Sequence, residues 1–242
     1  MSDQQTDCGA AFRALHEGPD PFVIPNPWDA GSARLLASLG FKALATTSAG
    51  FAFSLGRPEG LLTRDEVLAH CRDIVGATAL PVSADLEKGF GDTPESAAET
   101  AAAEAARALP QDFVLTARCE NFLWGCPDLD DTLRRLQAFE QAGADVLYAP
   151  GLRSLEDIRT VCAAVGRPVN VVMGMPGAVF TVRELAGAGV KRISVGSALA
   201  RLAYGACLAA AQEIAAEGSF DALASAAGFA EFEDRFRPFV KS

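Results

Sequence analysis

Short apolar segments alternate with amphipathic helical segments along almost the entire chain, and this alternation limits the possible folds more than any other feature. The segments that predict strands are residues 22–28, 43–47, 81–86, 113–117, 146–148, 169–173 and 192–195. Repeated strand–helix units with short connections form parallel sheets with right-handed crossovers. We therefore predict an α/β fold, a TIM-type barrel of parallel strands, in a single domain over residues 1–242.

The seven predicted strands are one fewer than a complete barrel contains. A complete barrel would place a helix, a strand and a second helix between Asp85 and Arg118. Residues 92–111 instead contain helix formers and no apolar β-run. We predict a single helix there, which leads directly from the third strand to the fourth, so that the barrel lacks one strand.

Two further segments carry local signals. Thr63 and Glu66 have the spacing of a capping box, which predicts that a helix begins at this point, and residues 49–62 before it are predicted to form a loop. The C-terminal tail, residues 219–242, contains phenylalanines at 229, 232 and 236, whose three- and four-residue spacing predicts a helix with an apolar face. A monomer has little core left to cover that face, so we predict a homo-oligomer.

The composition argues against several classes of protein. A net charge of −10 argues against a nucleic-acid-binding surface. No apolar run reaches the ~18 residues of a membrane helix, and the N-terminus lacks the pattern of a signal peptide. The six cysteines show no zinc-ligand spacing, which indicates reduced thiols in a cytoplasmic protein.

Charged residues stand where two predicted strands end. Alternate residues of a strand share a face, so Asp85 and Glu87 are predicted to point the same way, as are Arg118 and Glu120. Acids and an arginine are out of place inside a core but are typical of the carboxyl ends of barrel strands, where active sites lie. We take Arg118 and Glu120 as the catalytic candidates.

The acids also predict a metal site. Asp85, Glu87 and Glu59 offer the oxygen ligands that Mg²⁺ or Mn²⁺ prefers, partly through water. The alternative is that Lys88 and Arg118 pair with these acids and no metal binds.

Two polar residues are candidates for substrate contact. Arg118 could hold a substrate carboxylate with its two-pronged guanidinium, or form a buried salt bridge to Glu120 or Asp85. Asn170 is the polar residue of an apolar strand and could contact substrate or be a satisfied core amide. His16, near a terminus taken to be disordered, and His70 are predicted to lie at the surface or core edge and to play no catalytic part.

Several motifs, in this order, resemble those of the isocitrate lyase/phosphoenolpyruvate mutase superfamily, and in particular its 2-methylisocitrate lyase-like members. They are NPWDAGSA at 26–33, TTSAG at 46–50, ADLEKGFG at 84–91, ARCEN at 117–121, GAD at 143–145, PVNV at 168–171 and SVG at 194–196. Members of this superfamily are Mg²⁺-dependent α/β barrels that act on small α-keto or α-hydroxy dicarboxylates and phosphonates, usually through an enolate. The resemblance implies that the substrate-binding residues are Thr47, Ser48, Ala49, Arg118 and Asn170, and that Glu59 replaces a metal-site aspartate beside Asp85.

The chain also departs from this pattern. Ser83 replaces the first acid of an Asp-x-Asp motif, and the fourth strand and the lid loop after it have no counterpart. The resemblance implies a Mg²⁺-dependent carbon–carbon lyase or decarboxylase acting on a small anionic keto acid or dicarboxylate. The alternatives are a non-catalytic descendant that serves as a binding scaffold, and P–C bond chemistry on phosphoenolpyruvate or phosphonopyruvate. Members exchange a C-terminal helix between subunits, which implies that residues 219–239 pack on a neighbour. The alternative is that the tail folds back under its own barrel.

Overall fold

The computed structural model of the chain describes residues 3–87, 89, 112–177 and 179–240. Within these ranges the strands are β1 (Phe22–Ile24), β2 (Leu44–Ala45), β3 (Val82–Ser83), β4 (Thr116–Arg118), β5 (Val146–Tyr148), β6 (Val169–Val172) and β7 (Arg192–Ser194). The α-helices are α1 (Asp3–Glu17), α2 (Ala30–Ser38), α3 (Ser48–Ser54), α4 (Arg64–Ala77), α5 (Leu129–Gln141), α6 (Leu155–Ala164), α7 (Val182–Gly187), α8 (Ala198–Glu217) and α9 (Phe229–Phe236). Short 3-10 helices at Asp221–Ser225 and Arg237–Phe239 flank α9.

All strand pairs are parallel, and the first and last strands are neighbours. Five strands form one sheet in the order β1-β7-β6-β5-β4, and β2 pairs with β3. The N–H of Ala45 donates to the carbonyl of Pro25 at 3.0 Å, which joins the smaller sheet to the end of β1. The strands therefore follow one another around a barrel in chain order. This confirms the predicted α/β barrel of parallel strands.

β3 and β4 stand at the two ends of this strand series. Residues 88 and 90–111, which connect them, lie outside the described residues. The prediction of a single helix over 92–111 concerns that segment, as does the prediction that the barrel lacks one strand. Both stay predictions.

The main core lies between β4–β7 and the helices that cover them. Leu147 on β5 is fully buried against Leu136 of α5, Ile158 of α6 and Leu185 of α7. Burial of a side chain of this size contributes about 1.5–3 kcal/mol. The core therefore holds this side of the barrel rigid, including the ends of β4, β5 and β6.

Two predictions near the third strand are corrected. Residues 49–62 are not all loop, because Thr47 caps α3 by accepting a hydrogen bond from the N–H of Gly50 at 3.2 Å. The helix buries Ala52 in a small apolar cluster. The strand predicted over 81–86 is shorter, since β3 ends at Ser83. Asp85 and Glu87 consequently lie in the loop after the strand, and not on a strand face.

The N-terminal segment is helical and closes the lower end of the barrel. Phe12 of α1 is 7% exposed and packs on Ile24 and Ala45 at the strands. The guanidinium of Arg13 pairs with Asp112 at 3.3 Å and with Asp145 at 3.1 Å. Contacts with residues about one hundred positions away therefore anchor α1.

Both histidines are buried, which corrects the prediction that they lie at the surface or core edge. His16 is 5% exposed, and its Nδ1 lies 2.8 Å from the carbonyl oxygen of Phe12. His70 is also 5% exposed and stacks on Phe51 with ring centroids 3.9 Å apart. The terminus near His16 is α1, and neither ring lies among the acids of the barrel mouth.

The C-terminal region leaves the barrel as a long helix and a tail. Of the residues of α8, Ala200 is buried, whereas Leu202 and Leu208 are 69% and 59% exposed. α9 lies against α2 of the same chain, but Phe229 remains 91% exposed. In the described ranges, no helix combines the length and the apolar character needed to cross a membrane.

Candidate functional site

Asp85 is held at the point where the carboxyl ends of β2, β3 and β4 meet. Its backbone N–H donates to Thr46 Oγ1 at 2.7 Å, which fixes the loop after β3 beside β2. Its Oδ2 accepts hydrogen bonds from the backbone N–H of Ser48 at 3.3 Å and from Ser48 Oγ at 3.1 Å. Its Oδ1 lies 3.4 Å from Nη1 of Arg118. The structure therefore brings together residues that the sequence places on three separate strand ends.

Glu59 reaches this group through Ser48. Ser48 Oγ lies 3.2 Å from Oε1 of Glu59 as well as 3.1 Å from Asp85. One hydroxyl proton can serve one of these carboxylates at a time. A cation or a second donor would complete the arrangement.

Glu87 has an unusual backbone and an unpartnered carboxylate oxygen. Its φ of 51° lies in the left-handed region, which is uncommon for a residue other than glycine and marks local strain. Its N–H donates to Oδ1 of Asp85 at 3.2 Å. Among the residues that the structure describes, its buried Oε1 has no hydrogen-bond partner. Burial, and next the negative charges of Asp85 and Glu59, raise the pKa of Glu87 above that of an ordinary glutamate.

Arg118 stands between two carboxylates. Besides Asp85, its Nε lies 2.8 Å from Oε1 of Glu120. The other oxygen of Glu120 accepts a hydrogen bond from Nε1 of Trp124 at 2.8 Å, although Trp124 itself is 78% exposed. Burial lowers the pKa of Arg118, but the charges of Asp85 and Glu120 outweigh it, so that the net shift is upward. The guanidinium is therefore a fixed positive charge, and both salt bridges considered from the sequence are present.

The other predicted substrate-binding residues are buried around this group. Thr47, Ser48 and Ala49 form the start of α3, and Asn170 lies on β6 with only 1% of its surface exposed. Nδ2 of Asn170 donates to Ser194 Oγ at 3.1 Å, but its buried Oδ1 has no partner within the described ranges. Substrate contact by these residues stays a prediction.

One cavity of about 1790 Å³ joins all of these residues. Its lining also includes Tyr148, Arg192 and Ser194, which the sequence analysis did not single out. Burial raises the pKa of Tyr148 to about 12, so its hydroxyl is protonated at neutral pH. Tyr148 could have been identified as a site residue from the sequence, because it is the polar residue at the end of an apolar predicted strand. Arg192 stands at the start of its strand, and nothing in the sequence shows that it faces inward.

The acids fit a cation that keeps most of its bound waters better than a cation coordinated by protein atoms alone. Across the described residues, no three side chains of the His, Cys, Asp and Glu types are close enough to hold a metal ion together. Mg²⁺, however, usually keeps several waters and needs only one or two carboxylates. The unpartnered Oε1 of Glu87 and the divided hydroxyl of Ser48 leave acceptors for such waters. Lys88, the alternative partner for the acids, lies outside the described residues.

The comparisons with known proteins cover every strand that carries this site. The chain matches the family model described as phosphoenolpyruvate phosphomutase over residues 12–103 and 98–215. A solved structure from Burkholderia cenocepacia, provisionally described as a lyase/mutase, is 50% identical with a TM-score of 0.94, over 97% of this chain and 98% of that one. The 2-methylisocitrate lyase of Escherichia coli is 28% identical over 227 residues, 75% of this chain and 76% of the enzyme. The oxaloacetate decarboxylase of Bradyrhizobium diazoefficiens is 29% identical over 218 residues, 74% of this chain and 75% of the enzyme.

Proposed function

This chain belongs to the phosphoenolpyruvate phosphomutase family of lyases and mutases, as the sequence motifs predicted, and we propose that it is a Mg²⁺-dependent carbon–carbon lyase or decarboxylase. Its substrate in this proposal is a small α-keto or α-hydroxy dicarboxylate. The observation that carries the proposal is the contact of Asp85 with both Ser48 and Arg118 at the mouth of the barrel. The contact supports the proposal because it brings a carboxylate suited to bind a metal directly beside a cation suited to bind a substrate carboxylate.

Arg118 is suited to bind and orient the substrate. Its ion pairs use Nη1 and Nε, which leaves the N–H groups of Nη2 for a substrate carboxylate. Asp85 and Glu120 on either side hold the plane of the guanidinium. A cation held in this way also stabilises negative charge that develops on the substrate as a carbon–carbon bond breaks, without having to reorganise.

Asp85, with Glu59 and Glu87 through water, would hold the Mg²⁺. When bound, the metal supplies Lewis-acid polarisation of the substrate keto oxygen. Glu120 is placed to keep Arg118 charged and oriented. Tyr148, which is protonated at neutral pH, can donate a hydrogen bond inside the same cavity.

The test is an Asp85→Asn variant. It keeps the shape of the side chain and an acceptor for Ser48, but removes the charge. We expect heats of Mg²⁺ binding to disappear in calorimetry, and pyruvate release from oxaloacetate to fall in kcat/KM by roughly 10²-fold or more. Asp130→Asn, at an exposed residue in the first turn of α5, is the control and should match the parent protein. Equal Mg²⁺ heats for Asp85→Asn and the parent would refute the metal site.

The description of the matching family model favours a second candidate, P–C bond chemistry on phosphonopyruvate. ³¹P NMR of phosphonopyruvate incubated with the protein and Mg²⁺ separates the two. Conversion of phosphonopyruvate without turnover of oxaloacetate would favour the mutase chemistry. Binding of both compounds without turnover of either would favour a non-catalytic scaffold.

A further inference from the structure

Arg192 is a buried cation whose described partners are all neutral. It is 6% exposed, its Nη1 donates to Thr116 Oγ1 at 3.0 Å, and its Nη2 donates to Ser83 Oγ at 3.2 Å. The ring of Phe12 covers its guanidinium from one side at 5.8 Å. Among the described residues no carboxylate forms an ion pair with it, and its Nε has no hydrogen-bond partner. A buried charge without a counter-charge is unfavourable, so this arrangement needs an anion to balance it.

Arg192 lies on a deeper level of the barrel than the acidic group. Its partner Ser83 precedes Asp85 by two residues, and its partner Thr116 precedes Arg118 by two. Thr116 and Arg118 both lie on β4, and a strand rises about 3.3 Å per residue, so the two levels are roughly 6–7 Å apart. Both levels line the same cavity, which gives a small molecule a path from the mouth to Arg192.

The charges of the two levels are opposite. Among the described residues, the upper level holds the carboxylates of Glu59, Asp85, Glu87 and Glu120 around the cation of Arg118, and Arg201 also lines the cavity. The lower level holds Arg192 with hydroxyl groups. Burial lowers the pKa of Arg192 to about 10, which still leaves it charged at neutral pH. Without a bound metal, the excess of carboxylates at the upper level therefore disfavours an anion there, whereas the charge of Arg192 attracts one at the lower level.

A second buried side chain at this end of the barrel has an unsatisfied polar atom. Asn170 is adjacent to Arg192 in the register of β6 and β7, and its buried Oδ1 has no partner in the part of the chain that the structure describes. Because the hydroxyl of Ser194 can donate as well as accept, the amide can turn to present its Nδ2 to the cavity. It would then donate to an anion beside Arg192.

From this arrangement we propose that Arg192, with Ser83, Thr116 and Asn170, forms an internal site for a small oxyanion, a carboxylate or a phosphate group, beneath the acidic residues. The oxyanion is either the far end of the substrate or a separate inorganic ion. The first source rests on the proposed function, and the second does not.

The experiment is calorimetric titration of the full-length protein with inorganic phosphate and, separately, with malonate. A low-salt buffer with EDTA removes divalent metals, so the result does not depend on the metal site or on lyase activity. Arg192→Met keeps an apolar side chain of similar reach in a buried position and should fold. Its dissociation constant for at least one probe should rise by roughly tenfold or more, the loss expected for hydrogen bonds to a charged group. Arg159→Met, an exposed arginine on α6, is the control and should bind as the parent does.

Further measurements identify the source of the oxyanion. Arg192→Lys keeps the positive charge but loses the two-pronged guanidinium, so it should bind the probes with intermediate affinity. If malonate displaces phosphate, the site receives the end of a substrate. If both bind together and Arg192→Met weakens only phosphate, the site holds a separate ion. Equal affinities of the parent and Arg192→Met for both probes, or no binding of either probe to the parent, would overturn the proposal.

Discussion

At the scale of single residues, Arg118 shows why a buried salt bridge and a substrate contact need not exclude each other. Its two neighbouring carboxylates contact Nη1 and Nε on either side of the guanidinium and keep it charged, while Nη2 remains for a ligand. A lysine in the same place carries a point charge on a small ammonium group. It lacks the planar guanidinium that can hydrogen-bond to Asp85, Glu120 and a substrate at the same time. Geometry, and not charge alone, is what arginine contributes here.

Arg118→Lys should therefore weaken the binding of a small dicarboxylate by about 1.5–3 kcal/mol, the range for hydrogen bonds to charged groups. The measurement is the dissociation constant of malonate in the presence of Mg²⁺, by calorimetry. Arg159→Lys is the matched control, because Arg159 is exposed on α6. If Arg118→Lys leaves the dissociation constant of malonate unchanged, the guanidinium of Arg118 does not bind the dicarboxylate in this way.

His16 should make stability depend on pH. Burial lowers its pKa to about 4 from 6.5, so the folded protein keeps the ring neutral where the unfolded chain is already protonated. Between these pH values the unfolded state binds more protons, and the free energy of unfolding falls as the pH is lowered, by up to about 1.4 kcal/mol per pH unit. In urea unfolding at pH 7, 6 and 5, the stability advantage of the parent over His16→Gln should shrink towards acid pH. A constant difference would show that His16 does not titrate in this way.

The residues of the site divide by what the sequence can reveal. Asp85 and Arg118 follow apolar runs, so their position at neighbouring strand ends was predictable, and their contact confirms it. Arg192 and Tyr148, by contrast, were recognised as site residues only from the three-dimensional structure of the barrel. Which way each side chain faces depends on the register with the adjacent strand, and that register is set by packing across the whole sheet.

At the scale of elements, locally determined features were predicted and features that depend on distant contacts were missed. The capping box at Thr63 is confirmed, because Thr63 Oγ1 accepts from the N–H of Glu66 and Glu66 accepts from the N–H of Thr63. By contrast, α1 docks through Arg13 on Asp112 and Asp145, far along the chain. Helix α3 is short and contains glycine, so its stability comes from burial of residues such as Ala52 and not from propensity.

Loss of the cap at Thr63 should destabilise the protein through α4. Thr63→Ala removes the acceptor for the N–H of Glu66 and should lower the free energy of unfolding by about 0.5–2 kcal/mol. Thr63→Ser keeps the hydroxyl and should stay close to the parent in urea unfolding. The buried face of α4, with Val67 and Ile74, connects this end to the core. Equal losses for the two variants would mean that the methyl group matters and the cap does not.

At the scale of the whole molecule, the pairing of β1 with β7 brings the first and last strands of the chain together. The βα rhythm predicted a barrel of this kind because parallel strands joined by helices add one after another in the same rotational sense. What the rhythm does not encode is how the last helix is covered. α8 follows β7, and over the described residues 218–240 the chain continues as 3-10 turns and α9.

That exposed helix predicts the assembly state. Leu202 and Leu208 are 69% and 59% exposed on α8, a helix with few charged residues. Phe229 of the tail is 91% exposed. Soluble monomers rarely expose large areas of apolar surface, and α8 is exposed over almost its whole length, so we expect α8 and the tail to pack on a second copy of the chain. Light scattering after size exclusion should give at least twice the chain mass of 25.3 kDa at micromolar concentration.

The double variant Leu202→Glu with Leu208→Glu places two charges in that contact and should shift the mass to that of one chain, with an unchanged circular dichroism spectrum. Leu61→Glu adds a charge at another exposed leucine, 63% exposed and outside α8, and should leave the mass of the parent. A parent protein that already runs as a single 25.3 kDa species would contradict the oligomer. A double variant that keeps the mass of the parent would place the contact elsewhere. The reason is that the free energy needed to bury two unpaired carboxylates is far larger than the free energy gained from the apolar contacts of two leucines.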